Sequence, residues 1–218
     1  MFDPTLMPVE GLAGEPALAL ELLSVEAVRA RFARTLPWDP EGSDEALAAP
    51  SLRLRRAAVL VPLVARPEGL SVLLTKRTEH LSSHAGQVSF PGGRAEELDS
   101  SPIETALREA EEEIGLHRRH VEIIGVLPDH VTISAYRVTP VVALVQPPFA
   151  LSADPGEVAE IFEVPLGFLM AGDNHQRRSI ELPDGGGKRR FYAMPYQDYF
   201  IWGATAAMLR NLYHFLRA

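Results

Sequence analysis

The stretch 92–116 constrains the fold more than any other part of the chain, because both ends of a helix can be recognised in it. Ser101 is a suitable N-cap residue, and Pro102 suits the first helical position, where a backbone N–H is not needed. Gly115 is the residue type that most often ends a helix in the left-handed conformation. The sequence therefore predicts a helix that begins at about Pro102 and ends at Ile114.

The two faces of this helix differ in character. One face is apolar at helical spacing and comprises Ile103, Ala106, Leu107, Ala110 and Ile114. The other carries Glu109, Glu112 and Glu113, whose spacing of i, i+3 and i+4 gathers three carboxylates. Each like-charge pair destabilises a bare helix by about 0.2–0.5 kcal/mol, a penalty that a bound cation would remove. A solvated acidic face is the alternative interpretation.

With the Gly92-Gly93 turn before it, the segment resembles the Nudix box, whose family pattern is GX5EX7REUXEEXGU. The matching residues are Gly93, Arg108, Glu109, Ala110, Glu112, Glu113, Gly115 and Leu116. Asp99 stands where the family has Glu, and eight residues rather than seven separate it from Arg108. The resemblance implies an α/β fold of the Nudix type, an α/β/α sandwich with a mixed β-sheet. It also implies an enzyme, a metal-dependent pyrophosphohydrolase.

The same resemblance implies roles for the charged residues of the box. Glu109, Glu112 and Glu113 are expected to bind the metal, with Asp99 as an auxiliary ligand. Arg108 is expected to orient the carboxylates, since it lies four residues from both Glu104 and Glu112. Oxygen-only ligands favour Mg²⁺ or Mn²⁺ over zinc.

Many Nudix enzymes take a further carboxylate from a later loop, as a base or an extra ligand. Glu157 is the first choice here, because it follows the Pro155-Gly156 turn and precedes an apolar helix face. Glu160 is the second choice, and a solvated loop acid is the alternative for Glu157.

Composition excludes several classes of protein. The formal net charge of −8 argues against a general nucleic-acid binder, which needs a basic surface. Without cysteine, neither a disulfide framework nor a thiol nucleophile is available. No run approaches about 18 uninterrupted apolar residues, and residues 1–10 lack the pattern of a secretory signal. We therefore expect a cytoplasmic protein without a membrane span.

The pattern along the chain changes at about residue 50. Residues 1–50 are predicted to be a helical extension and loop, with a helix capped by Ser24 that ends near Leu36-Pro37. Residues 51–218 are predicted to form the Nudix domain. The predicted strands of this domain are Ala57–Ala65, Leu70–Thr75, Val121–Leu127, Val138–Val145, Ile180–Leu182 and Arg190–Met194. Pro62 suggests a sheet edge or a bulge in the first of them.

The remaining segments give three further expectations. Val158, Ile161 and Phe162 recur at helical spacing and predict a helix after the Pro-Gly turn. Pro183 to Gly187 predict a hairpin turn, and Gly203–Leu216 predicts an amphipathic terminal helix. We expect Phe200 and Trp202 in the core, with ligand contacts as the alternative. We expect solvated charges at Arg177-Arg178 and Lys188–Arg190, with a phosphate contact as the alternative.

The run LLTKRTEHLSSHAGQVSFPGG, ahead of the box, resembles the coenzyme A pyrophosphatase signature LLTxR[SA]xxxRxxxGxxxFPGG. The matching residues are Leu73, Leu74, Thr75, Arg77, Gly86, Phe90, Pro91, Gly92 and Gly93. Thr78 replaces the small Ser or Ala of the family, and Ser82 replaces an Arg that could have met a phosphate. The resemblance implies cleavage of CoA and its derivatives to 3′,5′-ADP and 4′-phosphopantetheine or its acyl form.

A substrate of this kind implies binding by Arg77, Lys76, Arg94 and the Gly92-Gly93 backbone. Alternation along a strand predicts that Lys76 and Arg77 face opposite ways, and structural or solvated roles are the alternative for both. The other candidates are a Nudix hydrolase for ADP-ribose, NADH or an oxidised nucleotide, and a non-catalytic Nudix-fold module. The SQPWPFPxS array of NADH-cleaving relatives is absent, and the retained box carboxylates favour an enzyme. The oligomeric state stays open, with a homodimer as a candidate.

Overall fold

The strands of the protein form two β-sheets, and helices cover both faces of the larger one. The structure is a computed structural model that describes residues 3–42, 54–80, 85–181 and 187–218. The strands are β1 (Val9–Leu12), β2 (Arg55–Arg66), β3 (Gly69–Arg77), β4 (Val88–Ser89), β5 (Gly92–Arg94), β6 (Val121–Val126), β7 (His130–Val131), β8 (Tyr136–Val145), β9 (Val158–Pro165), β10 (Gln176–Glu181), β11 (Lys188–Tyr196) and β12 (Tyr199–Trp202). The helices are α1 (Val25–Phe32), α2 (Pro102–Ile114), α3 (Leu166–Leu169) and α4 (Gly203–Arg217), and short 3₁₀ helices lie at Pro4–Leu6, Leu20–Leu23, Arg118–His120 and Gly172–Asn174.

The larger sheet is mixed, with strand order β4-β3-β2-β8-β6; β5 also pairs with β2, β7 with β8, and β9 with β3. Strands β2 and β8 are parallel, and the other pairs are antiparallel. Alternate residues of β2 point to opposite faces. Leu60 and Val64 pack with α2 on one face, whereas Val61 and Leu63 pack with α4 on the other. This arrangement is an α/β/α sandwich and confirms the fold class expected from the sequence.

Pro62 lies in a central strand, so the predicted sheet edge or bulge at this residue is wrong. It pairs with Ala143 in the unbroken parallel ladder between β2 and β8. The other flank of β2 pairs with β5 up to Val59 and with β3 from Leu63 onward. Because Pro62 falls between these two ladders, the sheet tolerates a residue that has no N–H to donate.

The segment after the Pro-Gly turn is strand β9, so the helix predicted there is also wrong. Val158 and Ile161 pack in the cluster of α2, whereas Phe162 and Val164 pack in the cluster of α4. The strand lies between two layers and carries apolar residues on both faces, with a register shift near Ala159 opposite Lys76 and Arg77. A strand buried on both sides can therefore match the spacing of a helix.

The smaller sheet has the order β1-β10-β11-β12 and joins the amino-terminal residues to the rest of the protein. The hairpin of β10 and β11 was predicted, although most of its turn, 182–186, lies outside the described residues. The terminal helix α4 was predicted as well, and its Leu209, Leu212 and Leu216 are buried. From α4, the buried Arg210 donates to Glu15 at 2.7 and 3.0 Å.

Helix α1 starts as predicted, since Ser24 Oγ accepts from Ala27 N at 3.1 Å, but it ends at Phe32 rather than near Leu36-Pro37. The division of the chain predicted at residue 50 falls outside the described ranges and stays a prediction. Within those ranges, no helix has the length and apolar character required to cross a membrane.

Candidate active site

Helix α2 has both of the ends that its sequence predicts. Ser101 Oγ accepts from Glu104 N at 3.3 Å, and Gly115 adopts the left-handed conformation with φ of 66°. The Glu104 carboxylate pairs with Arg118 at 3.1 Å, and not with Arg108 as the spacing suggested. The apolar side of the helix packs on β2 and β8, which turns the acidic side toward strand β5.

The Gly92-Gly93 turn brings the main chain against two box carboxylates. Gly92 N donates to Glu113 Oε2 at 3.0 Å. A Cβ atom on Gly93 would lie 2.5 Å from the carboxylate carbon of Glu109, so only glycine allows this approach. Gly92 has φ of 154°, and a Cβ there would lie 2.5 Å from Ala58 O. Both glycines are therefore needed to place Glu109 and Glu113 beside the turn.

Arg108 connects the acidic residues of the box. Its Nη1 donates to Glu112 Oε2 at 2.9 Å, and its Nη2 lies 3.1 Å from Glu109 Oε1. Nη2 also donates to the carbonyl oxygen of Arg94 at 3.1 Å. Glu112 is at the rim of the site, with 60% of its side chain exposed. This arrangement agrees with the orienting role expected for Arg108.

Asp99 is fully engaged in hydrogen bonds at the start of this network. Arg108 donates to both of its oxygens at 3.1 and 3.0 Å, Thr105 Oγ1 donates at 2.9 Å, and Glu96 N donates at 2.9 Å. The guanidinium of Arg108 is the main reason that the pKa of Asp99 lies well below its usual range. With both oxygens occupied, Asp99 holds Arg108 in place, and its expected role as a metal ligand stays a prediction that this geometry does not favour.

Arg77 lies between Glu113 and Glu157. Its Nη1 is 3.6 Å from Glu113 Oε1, and its Nη2 is 3.7 Å from Glu157 Oε2. The register shift between β3 and β9 occurs at Lys76 and Arg77, where the strands part. Thr78 holds the segment of Glu157 beside Arg77. Its backbone N donates to Glu157 O at 3.0 Å, a bond that any residue other than proline could make, and its Oγ1 donates to Gly156 O at 3.4 Å. Sequence reasoning missed these contacts.

The second choice for the late carboxylate, Glu160, is held elsewhere by a hydrogen bond from the hydroxyl of Tyr199. Tyr199 is itself stacked on Phe162, with ring centroids 3.6 Å apart. Glu157 is therefore the late carboxylate that lies beside the box. Lys76 is not among the described residues that line the adjoining cleft, whereas Arg77 and Arg94 are.

The electrostatics at the turn suit a bound cation. Burial raises the pKa of Glu113 to about 7, and burial likewise raises the pKa of Glu109. Glu157 adds to both effects by charge repulsion. Across the described ranges, no three acidic or histidine side chains already form a geometry that could hold a metal ion. The donors are nevertheless hard oxygen ligands whose charge Arg77 and Arg108 neutralise only in part, so the residues fit a divalent ion once these long side chains converge.

A cleft of about 390 Å³ opens beside the Gly92-Gly93 turn. Trp202 lines this cleft and is only partly buried, so the expectation that it belongs to the core is wrong.

Phe200 is also partly exposed, and the guanidinium of Arg178 lies 5.0 Å from its ring. Arg178 is buried rather than solvated, since three carbonyl groups and Gln176 accept its hydrogen bonds. Arg189 lines the cleft as well. The sequence gives no sign of which of these residues faces the box.

Comparison with known proteins identifies the class. The NUDIX domain family model matches residues 54–182. NudL, an uncharacterized Nudix hydrolase of Escherichia coli strain K12, is 44% identical over 163 residues, which cover 74% of this chain and 83% of NudL. NudL of the O7:K1 strain IAI39 matches to the same extent. The chain therefore belongs to the Nudix family, and it is a Nudix hydrolase, an enzyme of the pyrophosphohydrolase class.

Solved structures of Nudix proteins are also similar to this chain. The Ap4A hydrolase of C. elegans, in a binary complex, has a TM-score of 0.44 at 18% identity, over 50% of this chain and 80% of that one. RenU, a Nudix hydrolase of M. smegmatis, has a TM-score of 0.44 at 25% identity, over 51% and 71%. Nudix hydrolases generally require divalent metal ions, in agreement with the donor chemistry at the turn.

Proposed function

We propose that this Nudix hydrolase cleaves the pyrophosphate linkage of coenzyme A and its thioesters, to give 3′,5′-ADP and 4′-phosphopantetheine or its acyl form. The main support is the position of Arg77. The signature run from Leu73 to Gly93 carries both Arg77 and the Gly92-Gly93 turn, and Arg77 lies 3.6 Å from the box residue Glu113. The segment that resembles coenzyme A pyrophosphatases therefore contributes directly to the same site as the box.

Several residues of this site have separate roles in the proposed reaction. Hydrolysis joins a water oxygen to one phosphorus and breaks the bond from that phosphorus to the bridging oxygen, which leaves with the other phosphate. Glu157 accepts the proton of the water, since half of its side chain is exposed and it faces Arg77. The guanidinium of Arg77 binds a phosphate through parallel hydrogen bonds, and the glycine backbone of the turn allows the diphosphate to approach closely.

Glu109, Glu112 and Glu113 would hold Mg²⁺ or Mn²⁺, the ions that carboxylate oxygens favour. The ion, when bound, supplies positive charge to the diphosphate and acidity to the attacking water. Arg108 holds Glu109 and Glu112 in place for this purpose, and Asp99 in turn holds Arg108. We further propose that Arg94, which lines the cleft, adds positive charge near the substrate. A substrate contact of Lys76, a cytoplasmic location and a homodimer remain predictions.

A Nudix hydrolase of another nucleoside diphosphate derivative, such as ADP-ribose, NADH or an oxidised nucleotide, is the second candidate. The missing arginine at Ser82 favours it, because the chain lacks one cation of the CoA signature. Ser82 itself lies outside the described residues. Identification of the products separates the two candidates. Incubation of CoA with the enzyme and Mg²⁺ should release 3′,5′-ADP and 4′-phosphopantetheine in equal amounts, and a lack of 3′,5′-ADP would overturn the proposal.

A further inference from the structure

The cleft beside the Gly92-Gly93 turn has walls from both β-sheets. Tyr136 of the larger sheet, Phe90 before β5 and the exposed Ile133 between β7 and β8 form one side, and the smaller sheet contributes Trp202 and Arg189. Its volume of about 390 Å³ is within the range of small-molecule sites. Because the cleft also includes Arg77 and both turn glycines, a molecule bound there would continue into the catalytic site.

The charges of the cleft come from two separate parts of the fold. Arg77 and Arg94 belong to β3 and β5, next to the box carboxylates. Arg189 belongs to β11 and reaches the cleft from the smaller sheet. A ligand that matches this pattern carries one anionic group at the box and a second one near the other wall. Guanidinium groups favour phosphate at such positions because they can bind two oxygens at once.

Trp202 provides a flat apolar surface between these charges. It pairs with Ala193 of β11, and its ring makes an edge-to-face contact with Phe191 at 5.5 Å and 68°. These contacts fix a side chain that stays partly exposed in the cleft. Aromatic side chains held in this way stack on nucleobases without regard to sequence.

We propose that the cleft binds the 3′-phosphorylated adenosine half of the substrate, with adenine on Trp202 and the 3′-phosphate on Arg189. This inference rests on the proposed function and adds to it the basis for choosing a 3′-phosphorylated nucleotide. The other half of CoA, the pantetheine arm, has neither a planar ring nor a charged group beyond the diphosphate, so it would match neither Trp202 nor Arg189. A nucleotide that bears a second phosphate matches both the aromatic surface and the separate arginine.

Tryptophan fluorescence tests the inference without turnover. The chain has two tryptophans, and Trp38 packs on Phe215 in the core, so Trp38→Phe leaves Trp202 as the only reporter. This variant is titrated in EDTA with 3′,5′-ADP, 5′-AMP and 4′-phosphopantetheine. We expect 3′,5′-ADP to change the Trp202 emission with a Kd at least about tenfold below that of 5′-AMP. A response to 4′-phosphopantetheine alone, or equal Kd values for the two nucleotides, would overturn the assignment.

A matched pair of neighbouring arginines completes the test. Arg189→Gln should weaken 3′,5′-ADP binding about tenfold and raise KM for CoA, with a much smaller change for 3′-dephospho-CoA. Arg190→Gln changes the next residue of β11, which lines a different cavity, and should have neither effect. If the wild-type enzyme cleaves CoA but Arg189→Gln affects both substrates equally, the cleft assignment fails and the proposed function stands. If the wild-type enzyme does not cleave CoA, the proposed function fails, and the inference that rests on it fails too.

Discussion

Arg108 donates two parallel hydrogen bonds to Asp99, from Nε to Oδ1 at 3.1 Å and from Nη2 to Oδ2 at 3.0 Å. The same guanidinium contacts Glu109 and Glu112, so Asp99 positions two of the expected metal ligands through Arg108. The Asp99 side chain is only 6% exposed, which strengthens the pair relative to one on the surface. Asp99, which precedes the lengthened connector of this Nudix box, thus positions Arg108, which follows it.

Asp99→Asn should separate a positioning role from a metal-binding role. Loss of a charge-assisted pair is worth about 1.5–3 kcal/mol, so we expect kcat to fall roughly ten- to a hundredfold. The affinity for Mn²⁺, measured by titration calorimetry, should change by less than about threefold. A large loss of Mn²⁺ affinity would instead make Asp99 a ligand.

Glu112→Gln and Glu113→Gln should each lower kcat by several orders of magnitude, because each removes a carboxylate that the divalent ion is proposed to need. Glutamine can still accept the hydrogen bond from Gly92 N, so circular dichroism should show an intact fold in the Glu113 variant. Glu111→Gln is the matched control, since Glu111 pairs with Arg118 away from the turn. If both variants keep more than roughly a tenth of the wild-type kcat at saturating Mg²⁺, a loss of under about 1.4 kcal/mol, the ligand assignment is wrong.

Arg77→Lys should raise KM for CoA by roughly ten- to a hundredfold, the range for loss of a bidentate phosphate contact. Because Arg77 lies beside Glu113 and Glu157, we place it at the diphosphate and expect the same penalty with 3′-dephospho-CoA. A smaller penalty with 3′-dephospho-CoA would move Arg77 to the 3′-phosphate. Unchanged KM values with both substrates would leave Arg77 a structural role only.

Stability should depend on His175 between about pH 4 and 6.5. Burial lowers the pKa of His175 from 6.5 to about 4, and its Nε2 and Nδ1 contact Leu169 O at 2.7 Å and Arg210 Nη1 at 3.1 Å. Since arginine can only donate, the folded state holds a neutral ring. Between these pH values the histidine is protonated in the unfolded chain but neutral in the folded protein. The contribution of His175 to the free energy of unfolding is therefore complete above pH 6.5 and is lost as the pH falls toward 4.

Urea unfolding of the metal-free protein measures this effect. Glu113 acts in the opposite direction over part of the same window, since burial raises its pKa from 4.5 to about 7. The difference between wild type and His175→Asn therefore isolates the histidine. We expect the wild type to lose up to about 1.4 kcal/mol more per pH unit than this variant. Equal slopes for wild type and His175→Asn would contradict the account.

The sequence predicted the parts of the fold that depend on local chemistry. The limits of α2 follow from Ser101, Pro102 and Gly115, and β2, β3, β6 and β8 of the larger sheet follow from apolar runs. The segment around Ile161 was misassigned because a strand covered on both faces has no clear period of two. Pro62 was misjudged because its tolerance depends on where two neighbouring strands begin and end.

The sequence predicts which residues form the site better than it predicts how they are arranged in space. The box spacing places Glu109 and Glu113 on one face of a helix, but the burial of Glu113 depends on the Gly92 backbone, which the spacing does not reveal. Contacts between distant segments leave no signal in the sequence. One example is the contact of Glu15 with Arg210, which lie 195 residues apart. The placement of Trp202 in the cleft likewise depends on how the two sheets pack.

The most direct test of the central claim is a competition in a single reaction. Equal concentrations of CoA, ADP-ribose and NADH are incubated with the enzyme and Mg²⁺, and the disappearance of each substrate is followed by chromatography, which gives the ratios of kcat/KM. The account predicts that CoA disappears first and that 3′,5′-ADP accumulates with it. Faster loss of ADP-ribose or NADH, with CoA left intact, would contradict it.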